Sequence, residues 1–341
     1  MTELVQIMAG AKHGGAEGFF TRLAIGLQQA GQNQQAIIRC ERERAGLLRG
    51  AGIGVTELPF GGVLDFYTRW NLRHLLFGLS PKLVLTWMNR ATRLTPPGRY
   101  TLVARLGGYY DLKYYRHCDH LIANTRGIVS YIEDQGWPAE RVHYLPNFAA
   151  ETIAGPVPRA QLATPEGVPL LLALGRLHPV KGFDLLLDAV ARLPGVWLWL
   201  AGDGPQMARL VRQARELDIL DRVRFLGWRG DTGALMAAAD VFVSSAHHEP
   251  LGNTIIEAWA HHLPVVATDA EGPNELIRPG IDGMLVPRGN PDALAHMLRS
   301  VLAQDYVRTA LAQAGYESYL ERFSERKVVE AYRAFFAKVA A

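Results

Sequence analysis

Short apolar runs alternate with amphipathic segments along the first half of the chain. The amphipathic segments carry apolar residues at helical spacing, as at residues 17–30, and the strand-like runs lie at residues 4–8, 35–39, 83–87, 121–123 and 142–145. One further run ends near residues 103–106. Strands that are apolar throughout and alternate with helices are typical of parallel sheets covered on both faces. The pattern therefore predicts an α/β domain with a doubly wound parallel sheet.

A linker and a second series of strands follow. Residues 149–167 are rich in Ala, Pro, Gly and Thr, which indicates a connection between domains. The alternation then starts again, with strand-like runs at residues 169–174, 196–201, 223–226, 241–244, 264–268 and 283–286. We therefore predict two α/β domains, one at residues 1–150 and one at residues 151–323.

The last segment, residues 324–341, has apolar residues at helical spacing but no strand after it. A helix with one apolar face needs a surface to cover. We expect this helix to cross back and pack on the first domain.

The composition fits a globular protein with two cores, since 49% of the 341 residues are hydrophobic. The first residues do not form a signal peptide, and no apolar run is long enough to span a bilayer, so we expect a cytoplasmic protein. Cys40 and Cys118 lie far apart without a metal-ligand spacing, which indicates two reduced thiols.

The net charge of +3 conceals a difference between the two halves. Residues 1–150 contain 17 Lys and Arg against 11 Asp and Glu, whereas the remaining residues contain 19 against 22. An excess of positive charge attracts anionic membrane surfaces and polyanionic substrates, although it is also compatible with an ordinary solvated surface. We expect no nucleic-acid partner.

Two glycine-rich motifs follow strands of the second half, where ligands of open α/β sheets bind. Residues 175–182 (GRLHPVKG) place Arg176 and Lys181 between glycines, and a guanidinium fork with a point charge suits a phosphate. The turn after the next strand contains Gly202 and Gly204. Each motif taken alone also fits an ordinary loop or a tight turn.

Two carboxylates, Glu249 and Glu257, stand eight residues apart around the start of a predicted helix. Eight residues is a little over two helical turns, so the two share a face if the helical phase reaches back to Glu249. We expect Glu257 about two turns inside the helix. The backbone amides of Leu251, Gly252 and Asn253 are expected to lie unpaired at its N-terminus, a favourable place for a diphosphate.

Together these motifs resemble those of the retaining GT-B glycosyltransferases of glycosyltransferase family 4. The resemblance covers nearly the whole chain and is strongest at residues 171–286, where residues 271–275 (EGPNE) and 283–287 (GMLVP) also match. It implies two Rossmann-like parallel-sheet domains that face each other across a cleft, the first binding the acceptor and the second the nucleotide-sugar donor.

The same resemblance assigns roles to single residues. Arg176 and Lys181 hold the donor diphosphate, Glu249 contacts the hydroxyls of the donor sugar, and Glu257 binds the ribose hydroxyls. The remaining expected donor contacts in the second domain are Gly202, Gly204, Leu251, Gly252 and Asn253.

In the first domain, Gly14 and Gly15 follow the first strand, in the loop that opens the first helix. Glycines let the backbone approach a ligand closely, and the resemblance implies that this loop lines the cleft near the donor phosphate. The spacing matches neither Gly-x-Gly-x-x-Gly nor a Walker loop, which disfavours a nicotinamide oxidoreductase or an ATP-binding enzyme.

Sugar transfer builds negative charge on the departing nucleoside diphosphate, and fixed donors around it stabilise the transition state. No Asp-x-Asp motif, the usual holder of a divalent cation in other glycosyltransferases, is present. We therefore predict that Arg176, Lys181 and helix amides take this role and that activity needs no metal or other cofactor.

The sequence departs from the family at one position of interest. Many members have a His after the strand that here ends near 103–106, whereas this chain has Gly107-Gly108-Tyr109-Tyr110-Asp111. His13, Tyr109 and Asp111 are our candidates for contact with the acceptor, and Asp111 also for a catalytic role, although each fits a surface or structural role as well. A front-face mechanism, in which the leaving phosphate helps to deprotonate the acceptor, needs no enzymic nucleophile.

The acceptor is expected to be a saccharide or a glycolipid. Residues 107–125 are similar to bacterial glycosyltransferases of the lipopolysaccharide-core type, which implies a lipid-anchored saccharide at the inner face of the cytoplasmic membrane. Residues 65–77 mix aromatic residues with Arg69, Arg73 and His74, a pattern compatible with docking at a membrane interface and also with a helix packed on its own core. The donor base is open, with a UDP-sugar as working hypothesis.

Two other functions share parts of this pattern. The UDP-N-acetylglucosamine 2-epimerases have the same architecture but isomerise a sugar without an acceptor, and the seven residues between the two glutamates favour transfer. A non-catalytic sugar-binding protein is the other alternative, and the presence of Arg176, Lys181, Glu249 and Glu257 argues against it.

Overall fold

The computed structural model of the chain describes residues 3–12, 14–61, 65–149 and 155–340. The chain divides into two compact units, one formed by Met1–Phe148 with Glu325–Ala341 and the other by Ala149–Ser324. We call them the N-terminal unit and the C-terminal unit. Their limits lie close to the domain limits expected from the sequence.

Across the described residues, the N-terminal unit forms one parallel sheet from β1 (Leu4–Met8), β2 (Gln34–Arg39), β3 (Gly54–Leu58), β4 (Leu83–Trp87), β5 (Thr101–Leu106), β6 (His120–Ala123) and β7 (Val142–Tyr144). The order is β3-β2-β1-β4-β5-β6-β7. The connecting helices are α1 (Gly15–Gln29), α2 (Arg42–Gly50), α3 (Phe66–Leu79), α4 (Met88–Leu94) and α5 (Arg126–Asp134). β1 and β4 are buried at every residue, which explains their continuous apolar runs.

The apolar pattern does not predict β3. This strand lies at the edge of the sheet beside β2, and most of its residues are only partly buried. An edge strand packs against a neighbour on one side only, so its sequence, GVTEL, needs no continuous apolar run. The omission therefore follows from its place in the sheet.

The C-terminal unit forms a second parallel sheet across the described residues, from β8 (Leu170–Leu174), β9 (Trp197–Ala201), β10 (Val223–Gly227), β11 (Val241–Ser244), β12 (Val265–Thr268) and β13 (Met284–Val286). The order is β10-β9-β8-β11-β12-β13. Its helices are α6 (Phe183–Ala191), α7 (Met207–Glu216), α8 (Thr232–Ala238), α9 (Asn253–Ala260), α10 (Glu271–Leu276), α11 (Pro291–Leu302) and α12 (Asp305–Arg322). Successive residues of β8 enter two different hydrophobic clusters, as expected for a strand buried on both faces.

The last helix, α13 (Glu325–Val339), belongs to the N-terminal unit. Its apolar residues enter the core that lies against α1. Tyr332 is fully buried, and its hydroxyl accepts a hydrogen bond from Arg105 Nε at 2.9 Å. Thr101 Oγ1 donates to the carbonyl of Val339 at 3.0 Å. The apolar face noted in the sequence is therefore covered by the first sheet and its helices.

The strand order reverses at β1 in one sheet and at β8 in the other. Connections leave such a strand toward opposite sides, which opens a crevice beyond its carboxyl end. The loops that follow β1, β8 and β11 therefore lie where ligands are expected. Cys40 and Cys118 are free thiols. No helix in the described part of the chain has both the length and the apolar character needed to cross a membrane.

Candidate active site

The loop between β8 and α6 is fixed by backbone hydrogen bonds to the last residue of β9 and to the segment that follows it. The amide of Gly175 donates to the carbonyl of Ala201 at 3.0 Å, and the amide of Leu177 donates to that of Asp203 at 2.9 Å. Leu177 is buried, whereas Arg176 beside it is exposed. Among the described residues the Arg176 side chain has no hydrogen-bond or ion-pair partner, so its guanidinium is accessible to an anion.

Lys181, in the same loop, forms an ion pair with Glu249, which follows β11. The two side chains are mostly buried, with 26% and 15% of their surface exposed, so solvent screens this pair less than a surface pair. An ammonium group has three N–H donors, and Glu249 takes one of them. The structure thus joins the two residues for which the sequence predicts a phosphate contact and a sugar contact.

Helix α9 begins at Asn253, and Gly252 is its N-cap, with φ 88° and ψ 48°. This left-handed residue ends the helical phase between Glu257 and Glu249, so the condition under which the two glutamates would share a helix face is not met. Glu257 is the fifth residue of α9, little more than one turn from its start rather than two. The amide of Gly252 is not unpaired, because it donates to Glu249 Oε1 at 3.2 Å. Neighbouring Leu251 is buried.

Glu271, the first residue of α10, holds the loop that carries Glu249. Its carboxylate accepts the amide of Glu249 at 3.3 Å and contacts His248 Nδ1 at 3.1 Å and Arg288 Nη1 at 3.2 Å. Burial works to raise the pKa of Glu271, but hydrogen bonds from its own amide, His248, the Glu249 amide and Arg288 outweigh it and lower the pKa to about 2. The motifs alone assign no role to Glu271, although its place after β12, the strand beside β11, indicates the same edge of the sheet.

Glycines bring the loops of this site into backbone contact. A Cβ on Gly202 would lie 1.8 Å from the carbonyl oxygen of Gly175, and a Cβ on Gly182 would lie 2.1 Å from that of Ser245. The backbone amides of Gly202 and Gly204 also donate hydrogen bonds to acceptors within the protein. In this structure these two glycines therefore shape the site by close packing and do not present unpaired amides.

In the N-terminal unit, Gly14 is the N-cap of α1 and Gly15 its first residue, and both are exposed. The carboxylate of Glu17 lies beside the loop, where it accepts the amide of Ala11 at 2.7 Å. A Cβ on Gly14 would lie 2.2 Å from Glu17 Oε2, and a Cβ on Gly10 would lie 2.4 Å from Oε1. The glycines here make room for a side chain.

Of the three acceptor candidates, His13 lies outside the described residues. Tyr109 is 41% exposed, and its ring packs edge-on against Tyr131 with centroids 5.4 Å apart. Asp111 is exposed and bonds twice to Lys113, with its ammonium at 2.6 Å and its amide at 3.0 Å. The hydrogen bonds and the charge of Lys113 lower the pKa of Asp111, which makes its carboxylate a weaker base. The geometry favours a local capping role for Asp111.

The site of the C-terminal unit can therefore bind a phosphorylated sugar compound. Arg176 and Lys181 suit phosphate oxygens, and a partly buried carboxylate suits sugar hydroxyls. Within the described ranges, no group of three or more His, Cys, Asp or Glu is arranged to hold a metal ion.

Comparisons with known proteins agree with this chemistry. The profile of the family "Glycosyl transferases group 1" matches residues 157–318. Over 325 residues the chain is 39% identical to the lipopolysaccharide core biosynthesis glycosyltransferase LpsE of Rhizobium meliloti (strain 1021), covering 94% of this chain and 95% of LpsE. LpsD of the same strain, which carries the same description, is 33% identical over 326 residues, covering 95% of each chain.

Among solved structures, Anabaena Alr3699/HepE in complex with UDP and glucose has a TM-score of 0.84 at 22% identity, covering 99% of this chain and all of HepE. These findings confirm the family and the fold class predicted from the sequence. The chain therefore belongs to the glycosyl transferases group 1 family and is a glycosyltransferase with the GT-B fold.

Proposed function

We propose that the enzyme transfers a sugar from a nucleotide-sugar to a saccharide or glycolipid acceptor, with retention of anomeric configuration and without a divalent metal. The supporting observation is the contact of Lys181 with Glu249 in the loops that follow β8 and β11. It joins a cation suited to phosphate and a carboxylate suited to sugar hydroxyls at the carboxyl edge of one sheet.

In this proposal Arg176 and Lys181 bind the donor diphosphate. Lys181 keeps N–H donors for phosphate while it stays paired with Glu249. Glu249 accepts hydroxyl hydrogens of the donor sugar, and Glu257, one turn inside α9, binds the ribose hydroxyls. The diphosphate thus compensates part of the positive charge of Arg176 and Lys181.

The transfer step follows a front-face course. The acceptor hydroxyl oxygen attacks the anomeric carbon from the side on which the diphosphate leaves. The bond between the anomeric carbon and the phosphate oxygen breaks, its electron pair stays on the diphosphate, and the acceptor proton passes to a diphosphate oxygen. Arg176 and Lys181 stabilise the developing negative charge, and such fixed donors are each worth about 10²- to 10³-fold in rate.

Asp111 has no covalent role in this course, which agrees with its pairing to Lys113. A covalent glycosyl-enzyme trapped on Glu249 or Asp111 would overturn the front-face mechanism. Retention itself is read from the anomeric configuration of the product by NMR, and an inverted product would refute it.

We further propose a UDP-sugar as donor and an acceptor of lipopolysaccharide or another cell-surface glycan, at the cytoplasmic face of the membrane. LpsE and LpsD are named for lipopolysaccharide core biosynthesis, and HepE was solved with UDP and glucose. These names support the proposal because the chain matches the two Lps proteins over nearly their full length.

The test is a thermal-shift and product assay with UDP-, GDP- and ADP-sugars in the presence of EDTA, on wild type and Glu249→Gln. We expect one donor to stabilise the protein and to be turned over by wild type, with the variant at least about 100-fold slower. Loss of activity in EDTA that Mg²⁺ or Mn²⁺ restores would refute metal independence. Isomerised sugar formed without an acceptor would support the epimerase alternative and refute transfer.

A further inference from the structure

Helix α3 exposes a cluster of large aromatic side chains. Phe66, Tyr67, Trp70 and Phe77 have 72%, 64%, 61% and 86% of their surface exposed. Single exposed apolar residues are ordinary, but a cluster on one element usually marks a binding surface.

The same helix also packs on the core, with Thr68, Leu72 and Leu76 buried. At 100° per residue these three form one stripe, and Phe66, Trp70 and Phe77 fall within about 40° of one another on the other side. The structure therefore confirms that one face of this helix packs on its own core, and it leaves a second, aromatic face exposed.

Apart from Asp65, the N-cap residue of α3, the sequence that forms and follows this helix is cationic. From Phe66 to Tyr110 the sequence contains no Asp or Glu and seven Lys or Arg. Arg69 and Arg73 lie on α3 itself, and Arg99 precedes β5. In the part of the chain that the structure describes, none of these three guanidinium groups is paired with a carboxylate. Their charge is available to an anionic partner.

A groove of about 590 Å³ opens at the C-terminal end of α3. Arg73 and Arg99 both line it, together with Phe77, Pro96 and Pro97. Two cations beside an exposed aromatic ring match a phospholipid, whose phosphate is anionic and whose glycerol and acyl region is apolar.

We infer that α3 and this groove dock the enzyme on a bilayer that contains anionic phospholipid. Phe66, Trp70 and Phe77 enter the membrane interface, while Arg73 and Arg99 bind lipid phosphates. A bilayer fits better than a protein partner because the cationic stretch is long and free of acidic residues, and an anionic surface offers many equivalent phosphates. The inference deepens the membrane part of the proposed function by naming the surface and the lipid class.

The test is co-sedimentation with vesicles of phosphatidylcholine alone or of phosphatidylcholine mixed with phosphatidylglycerol. Wild type is expected to bind the mixed vesicles and to be released by salt. The variants Phe66→Ser/Trp70→Ser/Phe77→Ser and Arg73→Glu/Arg99→Glu are each expected to bind at least about tenfold more weakly. Equal binding of wild type to both vesicles, or wild-type binding by either variant, would overturn the inference.

Matched controls lie in the C-terminal unit. Tyr306→Ser removes an aromatic ring that is 72% exposed, and Arg209→Glu reverses the charge of a side chain that is 57% exposed. Both are expected to bind vesicles like wild type, and a loss as large as that of the α3 variants would show a general effect of hydrophobicity or charge. Conversion of a dimer into a monomer by the α3 aromatic variant, without lipid, would identify a second copy as the occupant and overturn the inference.

Thermal unfolding verifies that the α3 variants are folded, and their unfolding curves are expected to match that of wild type. Vesicle binding requires no transferase activity, so the two proposals fail separately. Binding without glycosyl transfer would refute the proposed function alone, whereas transfer without vesicle binding would refute the docking surface alone.

Discussion

The two units share a topology but build the carboxyl edge of their sheets differently. β1 lies between β2 and β4 as β8 lies between β9 and β11. In the C-terminal unit Gly202 meets the backbone of Gly175, whereas in the N-terminal unit Gly14 meets the side chain of Glu17. Backbone cannot move aside without loss of hydrogen bonds, but a side chain can rotate. The same fold thus carries a rigid loop cluster in one unit and an adjustable one in the other.

The two units also differ in how far their charged side chains are exposed to solvent. Lys181 and Glu249 pair between loops and keep part of their surface exposed. In the N-terminal unit, Arg105 is only 2% exposed, lies over the rings of Phe19 and Trp87 at 4.7 and 4.8 Å, and bonds to Tyr332. A charge can help a ligand only where the ligand reaches it. Lys181 and Glu249 are thus accessible to a ligand, whereas Arg105 stabilises the core.

The largest expected effect is on enzyme activity, when one carboxylate is neutralised in the C-terminal unit or in the N-terminal unit. Glu249→Gln preserves shape but removes the partner of Lys181, and we expect kcat/KM to fall about 10²- to 10³-fold. For the matched change Asp111→Asn in the N-terminal unit, we expect kcat/KM to stay within about threefold of wild type. The carboxylate of Asp111 is already in an ion pair with Lys113. Initial rates with the donor found in the panel measure both, and a larger loss for Asp111→Asn would reverse the comparison.

A second comparison uses the glycines. Gly202→Ala forces a Cβ against the carbonyl of Gly175 at φ 145°, and we expect a loss of about 2–3 kcal/mol in unfolding free energy. Gly14→Ala displaces the carboxylate of Glu17, which can rotate at the cost of its hydrogen bond from the Ala11 amide, so a loss of about 1 kcal/mol is expected. Denaturant unfolding followed by fluorescence measures both. Equal losses would show that the N-terminal loop is as rigid as the C-terminal one.

The hydrogen bonds of Glu271 should make the stability of the protein depend on pH in the acid range. The folded pKa of about 2 lies below the ordinary 4.5, so the stabilisation is fully present above pH 4.5 and is lost as pH falls toward 2. After allowance for the 35% exposure of the side chain, we expect Glu271→Gln to cost about 1–2 kcal/mol at neutral pH. Unfolding of wild type and variant between pH 7 and pH 3 measures this difference, which should shrink as the pH falls. A difference that does not depend on pH would contradict the assigned pKa.

The smallest expected effect on stability comes from His143, which packs against α13. Burial, the neighbouring His120 and Lys338 lower the pKa of His143 to about 4, and its ring packs on Phe335 with centroids 4.6 Å apart. The unfolded chain takes up a proton near pH 6.5 and the folded one only near 4, so stability is lost as pH falls through that window.

Because His143 is only half-buried, the expected loss is about 1 kcal/mol. His143→Phe should remove this pH dependence from the unfolding curve. An unchanged curve in the variant would show that another group is responsible.

The motifs of the C-terminal unit could be predicted because each directly follows a buried strand whose apolar run is unmistakable. The role of Glu271 was missed because its contacts reach back to residues 248 and 249 and forward to Arg288, which only folding brings together. The helical phase does not reach back from Glu257 to Glu249, because a single left-handed residue, Gly252, interrupts it. No spacing rule contains that information.

The sequence by itself determined two parallel-sheet domains, the family, the loop cations and the cationic character of the first half, because these follow from local periodicity, motif order and composition. Tertiary structure decided that Lys181 pairs with Glu249, that Gly202 packs on Gly175, and that α3 turns its aromatic residues outward. These features depend on contacts between segments far apart in the chain. Their energy comes from burial and charge pairing that exist only once the sheets have formed.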